Sequence, residues 1–583
     1  MRNWRRMKTK YNGKCKTCPT KFIEGDEIFW RKGDGAICPT CHENPPETID
    51  LKPQPLAAPV DNALQVSPLP LSKYQQKVID AVRNAKAGDH FIVEAVAGSG
   101  KTFTMIQAIA RLLADTATAG LTVLFLAFNK SIAGELAIKV RSASNVTAST
   151  THSFGLKICR DFFGARFKIN NDKTRRILFN KIYDYSMDTP KIKKQCRRIA
   201  GPIIKLISLA KNHSIFSADD LQSCWKQLAN KFDVSVPDDV IDVSAFEVRL
   251  LETFELCLDQ TNVLDFDDMI YYPVLHNMSV GQYDRIMIDE AQDMSPVQID
   301  FINMLAAGGG SIICVGDTSQ SIYGFRGADT SSMANIKKAL DATELPLSIC
   351  YRCPRKVIEL AKTIVPHIEA APGAIDGVLE TITEEIFWKE VRVNDYVICR
   401  TTAPLVITCL RLIAAGRKAM IMGRDIGKDL ISLIDNICDR NGYVTDMGDF
   451  LKCLGEYYDR EYAKLIEQQN SEMKLQALQD RVDTINALAE GQSTVHQMKE
   501  RITKIFSDDA DGIVLSTVHK AKGLEAERIF ILRYDLMPHP MAKVQVDPKT
   551  GKKDDWQIVQ EEWLRYVAIT RSQGELYLVP GKE

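Results

Sequence analysis

The chain has 583 residues, more than one hydrophobic core supports, so several domains are expected. It is 45% hydrophobic and 26% charged, with no apolar run near the length of a membrane span, and no apolar stretch follows the basic start Met1–Arg6; a membrane span and a secretory leader are both unexpected, and a cytoplasmic protein is expected. The net charge of −1 hides an uneven distribution: residues 1–33 carry ten Lys/Arg against three Asp/Glu, and residues 161–215 carry thirteen against four, local basic surface compatible with a phosphate-binding groove or with ordinary solvated faces.

The chain opens with Cys15-x₂-Cys18 and Cys38-x₂-Cys41, separated by 19 residues. Two CxxC turns at this spacing can wrap four thiolates around one tetrahedral zinc ion. His42 is an alternative ligand, and disulfides are the competing reading. The intervening segment 22–37 reads as a hairpin. Its basic charge, Trp4 and Trp30 suit DNA contact, and a protein-docking module is the alternative. Residues 51–70 hold five prolines and few charges, a semi-extended linker.

From about residue 71 the pattern becomes α/β. Apolar runs at 91–98, 121–128, 285–291 and 311–317 read as buried parallel strands, and strand signals resume at 395–400 and 513–518. Segments 161–260 and 425–505 read as helical. The expected organisation is a first domain over 71–340 and a second over 341–583, each with one of these insertions.

Ala97-Gly98-Ser99-Gly100-Lys101-Thr102 follows a strand and precedes a helix. Its glycines let backbone N–H groups close on a phosphate, Lys101 reaches the terminal phosphates of ATP, and Thr102 holds Mg²⁺. The general pattern has glycine where Ala95 stands. Asp289-Glu290, at the end of a strand, suits Mg²⁺ binding through Asp289 and activation of the attacking water by Glu290. His152-Ser153 lacks the partners of a hydrolase. A further pair, Cys350-x₂-Cys353, has no second pair to join it and reads as incidental.

The motifs and their order resemble the UvrD/Rep/PcrA group of superfamily 1 DNA helicases over about residues 71–580. Leu71–Gln75 resembles the motif that reads adenine, with Gln76 as the register alternative. Ala127-Phe128-Asn129-Lys130 and Thr150-Thr151-His152-Ser153-Phe154 resemble strand-contacting motifs. Leu264–Asp268 resembles the acidic motif ahead of Asp289-Glu290. Val315–Ala328, containing Gln320, Tyr323, Phe325 and Arg326, resembles the segment that couples the nucleotide to DNA. Phe325 stands where the group has a base-stacking tryptophan, and a core aromatic is the alternative. Tyr351-Arg352, Thr517–Glu525 and Tyr566–Arg571 resemble the motifs of the second motor domain. The stretch 127–133 and the 315–328 segment are similar to those of F-box DNA helicases.

The resemblance implies two RecA-like parallel-sheet motor domains with helical insertions. It also implies an ATP- and Mg²⁺-dependent 3′→5′ helicase or translocase acting on single-stranded DNA and on single/double-strand junctions. Gln320 would couple the sites, Arg352 and Arg571 would reach the γ-phosphate, Tyr351 would stack on adenine, and Glu525 would bind the ribose. Phe128, Asn129, Thr151, His152, Phe154, Tyr323, Phe325, Arg326, Thr517 and His519 would face the strand, although each histidine has a structural reading as well. A translocase that strips proteins from DNA with weak unwinding, and a non-catalytic DNA-binding module, are the alternatives.

Overall fold

The computed structural model describes residues 66–127, 130–140, 143–164, 167–182, 190–232, 234, 236, 242–322, 331–466, 472–507, 512–540, 542, 544–546 and 553–581, with five short strands before residue 38. Met1–Ala63 and Leu64–Glu583 form separate compact units. In the first, Glu27–Arg31 pairs antiparallel with Arg5–Lys8 on one side and Gly35–Ile37 on the other. The expected hairpin within 22–37 is therefore present. Gly13–Lys14 pairs with Lys21–Phe22. Cys15, Cys18, Cys38 and Cys41, with the zinc site expected on them, lie outside the described residues, as does most of the proline-rich linker.

The second unit contains two parallel sheets. The first consists of β1 (Phe91–Ala95), β2 (Val123–Ala127), β3 (Val146–Thr150), β4 (Arg285–Ile288), β5 (Ser311–Gly316) and β6 (Thr343–Leu347), in the order β6-β1-β5-β4-β2-β3. β2, β4 and β5 are buried along their whole length, which is why they read as unbroken apolar runs. β6 corrects the expected domain boundary at 340, since it pairs with β1 through Thr343–Leu347 and extends the first domain to 347. Helices α1 (Lys73–Asn84), α2 (Lys101–Ala114) and α3 (Thr151–Phe163) flank the sheet.

The first insertion carries α4 (Pro190–Asn212), α5 (Ala218–Lys231) and α6 (Val243–Asp259) around its own core, which includes Leu206, Trp225, Phe246 and Phe254. It follows α3, which packs into the motor core through Phe154, Ile158 and Cys159 and ends at Phe163, close to the start expected at about residue 161. Its base is a parallel pair, Lys168–Ile169 with Val263–Leu264. Beneath it, α7 (Asp268–Leu275) begins a buried ionic network. Lys173 Nζ lies 2.8 Å from Asp268 and 2.8 Å from the Tyr272 hydroxyl, and Lys211 Nζ lies 2.7 Å from Asp265 and 2.8 Å from Asp268. Burial alone would raise Asp268, but Lys211 and Lys173 outweigh it and hold the carboxyl low. This network joins the insertion to the motor.

The second sheet consists of β7 (Val378–Thr381), β8 (Tyr396–Cys399), β9 (Ala419–Met422), β10 (Phe506–Ser507), β11 (Ile513–Thr517), β12 (Ala526–Leu532) and β13 (Ser572–Val579), in the order β7-β13-β12-β8-β11-β9-β10. After α8 (Arg355–Ala361) and α9 (Ala403–Ala414), the helices α10 (Arg424–Arg440), α11 (Met447–Ile466), α12 (Glu472–Ala489) and α13 (Val495–Ile505) fill the second insertion. Phe450, Ile485 and Met498 of these helices share one core with Val397 and Leu515 of the sheet. Unlike the first insertion, this one is continuous with its motor domain. α14 (Trp556–Ile569) leads into β13.

Candidate nucleotide and DNA site

β1 ends at Ala95, and the chain turns through Gly98 (φ 65°) and Gly100 (φ 75°) into α2. Both glycines occupy the left-handed region, which side chains rarely adopt. At Gly98 space is also closed, since a Cβ there would lie 2.6 Å from Arg352 Cβ and 2.9 Å from Cys350 Sγ. The loop thus leaves the backbone N–H groups at the start of α2 without a side-chain cap, and Lys101 and Thr102 sit in its first turn. Ser99 Oγ is buried without a hydrogen-bond partner.

β4 brings the acidic pair to the same place. Thr102 Oγ1 donates to Asp289 Oδ2 at 3.1 Å, so the two side chains expected at Mg²⁺ face each other. Burial, reinforced by the charge of Glu290, lifts Asp289 to about 6. Burial would also raise Glu290, but Lys101, a hydrogen bond from Gln292, Lys522 and Arg571 hold it low. A hard cation fits these oxygens, although no cluster of three or more His, Cys, Asp or Glu side chains is set to hold a metal among the described residues. Water and phosphate would have to complete the shell of a Mg²⁺ ion.

Gln320 is buried, and its amide donates to Asp317 Oδ2 at 2.7 Å. The Asp317 N–H in turn donates to Gln292 Oε1 at 3.0 Å. Gln320 is therefore connected to Glu290 through Asp317 and Gln292.

The second domain meets this loop directly. Val96 and Ala97 share an apolar cluster with Cys350, Cys353, Ile398 and Tyr566. The Ala97 N–H donates to the Tyr566 hydroxyl at 2.8 Å, and the Tyr351 N–H donates to the Gly98 carbonyl at 2.9 Å. Arg571 is buried, and its guanidinium donates to the carbonyls of Val567 (2.9 Å) and Leu524 (3.3 Å). Burial and the neighbouring Arg352 lower it to about 10, so it stays cationic at neutral pH, and no carboxylate pairs with it among the described residues. A buried cation in this position calls for an anion. Arg352 points the same way but is held by Glu525, 2.5 Å from its Nε, so Glu525 clamps an arginine in this structure.

The Tyr351 ring is 47% exposed, and its hydroxyl lies 3.4 Å from Gln75 Oε1. That oxygen also accepts the Ser72 N–H at 3.0 Å, so Gln75 doubles as the capping-box residue of α1. Gln76 instead bonds Asp80 on the exposed face. Gln75, unlike Gln76, lies beside Gly100 of the glycine-rich loop.

Among the residues expected at the DNA strand, His152 stacks on Phe266 with ring centroids 3.9 Å apart and planes 16° from parallel. Burial lowers His152 to about 4, so it is a neutral ring at cellular pH. Phe266 is 51% exposed. Phe154 is a correction: only 2% exposed, it packs edge-on against Tyr283 and Phe301 and presents no surface to a strand. Thr151 is also buried, and Thr517 is spent as a cap, accepting the Lys520 N–H. His519 is half-buried after β11. Phe128, Asn129, Tyr323, Phe325 and Arg326 lie outside the described residues.

Three residues join the site that the sequence did not single out. Lys522 reaches across from the second domain to Asp293 (2.5 Å) and the Gln320 carbonyl (2.8 Å). Tyr566 props the phosphate loop, and Phe266 backs His152. All three lie inside the motifs quoted above, so the signal is present, but a long-range contact is not written in local spacing.

A glycine-rich loop following an inner strand of one parallel sheet, met by paired arginines from a second, is the arrangement of a two-domain P-loop fold. Two family models match the chain: the UvrD/REP helicase N-terminal domain over residues 74–341 and the UvrD-like helicase C-terminal domain over residues 414–582. The chain belongs to the UvrD/Rep/PcrA-like helicases of superfamily 1. It is 29% identical over 310 residues to a probable DNA helicase II homolog of Rickettsia felis, covering 51% of this chain and 44% of the relative. It is 26% identical over 290 residues to the ATP-dependent DNA helicase PcrA of Leuconostoc citreum, covering 47% and 37%. It is 25% identical over 298 residues to the ATP-dependent DNA helicase Rep of Buchnera aphidicola subsp. Schizaphis graminum, covering 47% and 42%. The chain spans less than half the length of these curated relatives. No described helix is long and apolar enough to cross a membrane.

Proposed function

We propose that this protein is an ATP-dependent DNA helicase or translocase that moves 3′→5′ along single-stranded DNA. The observation that carries this reading is convergence at the phosphate loop. Lys101, Thr102, Asp289 and Glu290 come from one domain, and Arg352, Arg571, Tyr566 and Lys522 come from the other.

In this reading Lys101 and the loop N–H groups bind the phosphates, while Thr102 and Asp289 hold Mg²⁺. When bound there, the ion would supply charge neutralisation on the phosphates. Glu290 orients the attacking water and accepts its proton. Arg571, and Arg352 once released from Glu525, stabilise charge spreading on the γ-phosphoryl group, so turnover requires a closed cleft. Gln75 and Tyr351 hold the base. Tyr351 must swing its hydroxyl from Gln75 Oε1 for adenine to use that oxygen. Glu525 can turn to the ribose when Arg352 leaves it.

Opening the cleft must break the Lys522–Asp293 contact. That links nucleotide state to the segment after Gln320, where Tyr323, Phe325 and Arg326 are assigned to DNA on resemblance, as are Phe128 and Asn129. Phe266, backed by neutral His152, offers a ring face to a base, a contact indifferent to sequence and worth about 1–3 kcal/mol. His519 is assigned the same track.

The test is ATP hydrolysis with and without mixed-sequence single strands. Strong stimulation by DNA is expected, and turnover indifferent to DNA would overturn the coupling. A second reading, a translocase that strips proteins but unwinds weakly, is favoured by the second insertion, whose four helices share the core of their motor domain. Tailed duplexes separate the two readings, because the second predicts little strand separation at full ATPase.

The N-terminal unit is assigned one zinc ion on Cys15, Cys18, Cys38 and Cys41. Described strands end at Lys14 and Ile37, one residue before each cysteine pair begins. Metal would fix a segment too short to fold on a core alone. Elemental analysis of protein purified without chelator should find one zinc per chain, and metal-free protein would refute the site. Whether this unit contacts DNA or docks a protein is read from the salt slope of DNA binding after its deletion: a flatter slope means lost phosphate contacts.

A further inference from the structure

We propose that Cys350 and Cys353 form a reversible disulfide that shuts down the nucleotide site, making it a target of oxidation by hydroperoxides. The effect on turnover rests on the nucleotide-site reading above, whereas the bond itself does not.

The two cysteines bracket Tyr351-Arg352, which the function assigns to adenine and the γ-phosphate. They sit at the turn between Ile349–Cys350 and α8. The Cys353 N–H points at Cys350 Sγ, 3.5 Å away. Cys353 Sγ lies 3.6 Å from the carbonyl of Thr570, the residue before Arg571. Arg352 Nη1 donates to that same carbonyl at 3.3 Å. The pair is therefore wired to both arginines. It has no slack against the phosphate loop either, because Cys350 Sγ fills the space beside Gly98.

The two sulfurs are chemically unequal. The neighbouring Cys353 side chain, helped by the backbone N–H groups of Cys353 and Arg352 and by the Arg352 charge, pulls Cys350 below the ordinary thiol range against the effect of burial. The Cys350 side chain and burial push Cys353 up. Cys350 is thus the attacking thiolate and Cys353 the resolving thiol. The Cys350 sulfur attacks one peroxide oxygen, the O–O bond breaks, and the leaving oxygen takes a proton as water or alcohol, giving a sulfenic acid. The Cys353 sulfur then attacks the sulfenic sulfur. The S–S bond forms, the S–O bond breaks, and hydroxide leaves with the Cys353 proton as water. Two thiols lose two electrons and one hydroperoxide gains them.

Bond formation draws the sulfurs to about 2.05 Å. It takes Cys353 Sγ off Thr570 and fixes the turn that carries Tyr351 and Arg352. Both cysteines are buried at the seam between the domains, at 0% and 3% exposure, so peroxide reaches them when the cleft is open. Bound nucleotide should protect them.

The test uses the full chain, reduced and then treated with hydrogen peroxide. Trypsin cuts after Arg352, so the disulfide appears in non-reducing mass spectrometry as two joined peptides. We expect that species, a fall of about tenfold or more in ATP turnover as an arginine finger is displaced, and recovery with dithiothreitol. Cys353→Ser keeps a donor to Thr570 and cannot form the bond, so its turnover should resist peroxide. Absence of the joined peptides, unchanged turnover once they form, or equal loss in Cys353→Ser would each overturn the proposal. Reduced wild-type protein without ATPase would count against the motor reading instead, and the joined peptides would still decide whether the bond forms.

Discussion

Lys101→Ala is expected to reduce ATP turnover by on the order of a hundredfold or more, the scale seen when one preorganised cation or donor is removed from a transition state. Lys101 opens α2 directly after Gly100 and lies close enough to Glu290 and Asp289 to favour their ionised forms. Its loss therefore costs the phosphate contact and also weakens the charge on the water-activating carboxylate. DNA binding should persist, because the exposed Phe266 face and the basic first insertion lie elsewhere. Steady-state hydrolysis and a strand-binding titration on the same preparation check both halves. A variant that turns over ATP like the wild type would remove Lys101 from the site.

The second large effect is on stability. Lys211 is 1% exposed and holds Asp265 and Asp268 at 2.7 and 2.8 Å. Burial would lower its pKa, but Asp268 and Asp265 outweigh burial and keep it charged. Lys211→Ala strands a carboxylate in the interior, a loss of about 3–5 kcal/mol. The double change Lys211→Met with Asp265→Leu removes both partners and should recover much of that, since replacing a buried pair by apolar groups is often close to neutral. Because Ser208 and Asn212 of α4 also bond Asp267, loosening this joint should free the loop that carries Phe266. The single variant should therefore bind single strands more weakly as well as melt earlier. Denaturant unfolding of the three proteins checks the order, and a Lys211→Ala variant as stable as wild type would show that the network is not what joins the insertion to the motor.

Local chemistry was legible in the sequence. The Gly98–Thr102 turn needs glycines in the left-handed region, and the buried strands β2, β4 and β5 read as apolar runs because both faces are covered. What failed was whatever depended on which face a residue turns. Phe154 read as a strand contact, yet Thr151, Phe154, Gly155, Ile158 and Cys159 form the buried stripe of α3 at helical spacing, and that period was the better guide. β6 was missed because its sequence, Thr-Glu-Leu-Pro-Leu, looks unlike a core strand. It lies at the edge of its sheet, where a proline and exposed polar side chains are tolerated. The Cys350–Cys353 pair reads as incidental in the sequence because zinc needs four ligands, and only the structure shows that Cys350 sits beside Gly98, where the proposed disulfide would act. Lys522 could be found only once the two domains were brought together.

The most direct measurement of the central claim is release of streptavidin from biotinylated single-stranded DNA, since it reads directed movement whether or not duplex is unwound. With ATP and Mg²⁺ the protein should speed release from a 5′-terminal biotin and leave a 3′-terminal biotin in place, and Lys101→Ala should do neither. Equal release from both ends, or none while ATP is being hydrolysed on the same DNA, would contradict a 3′→5′ motor.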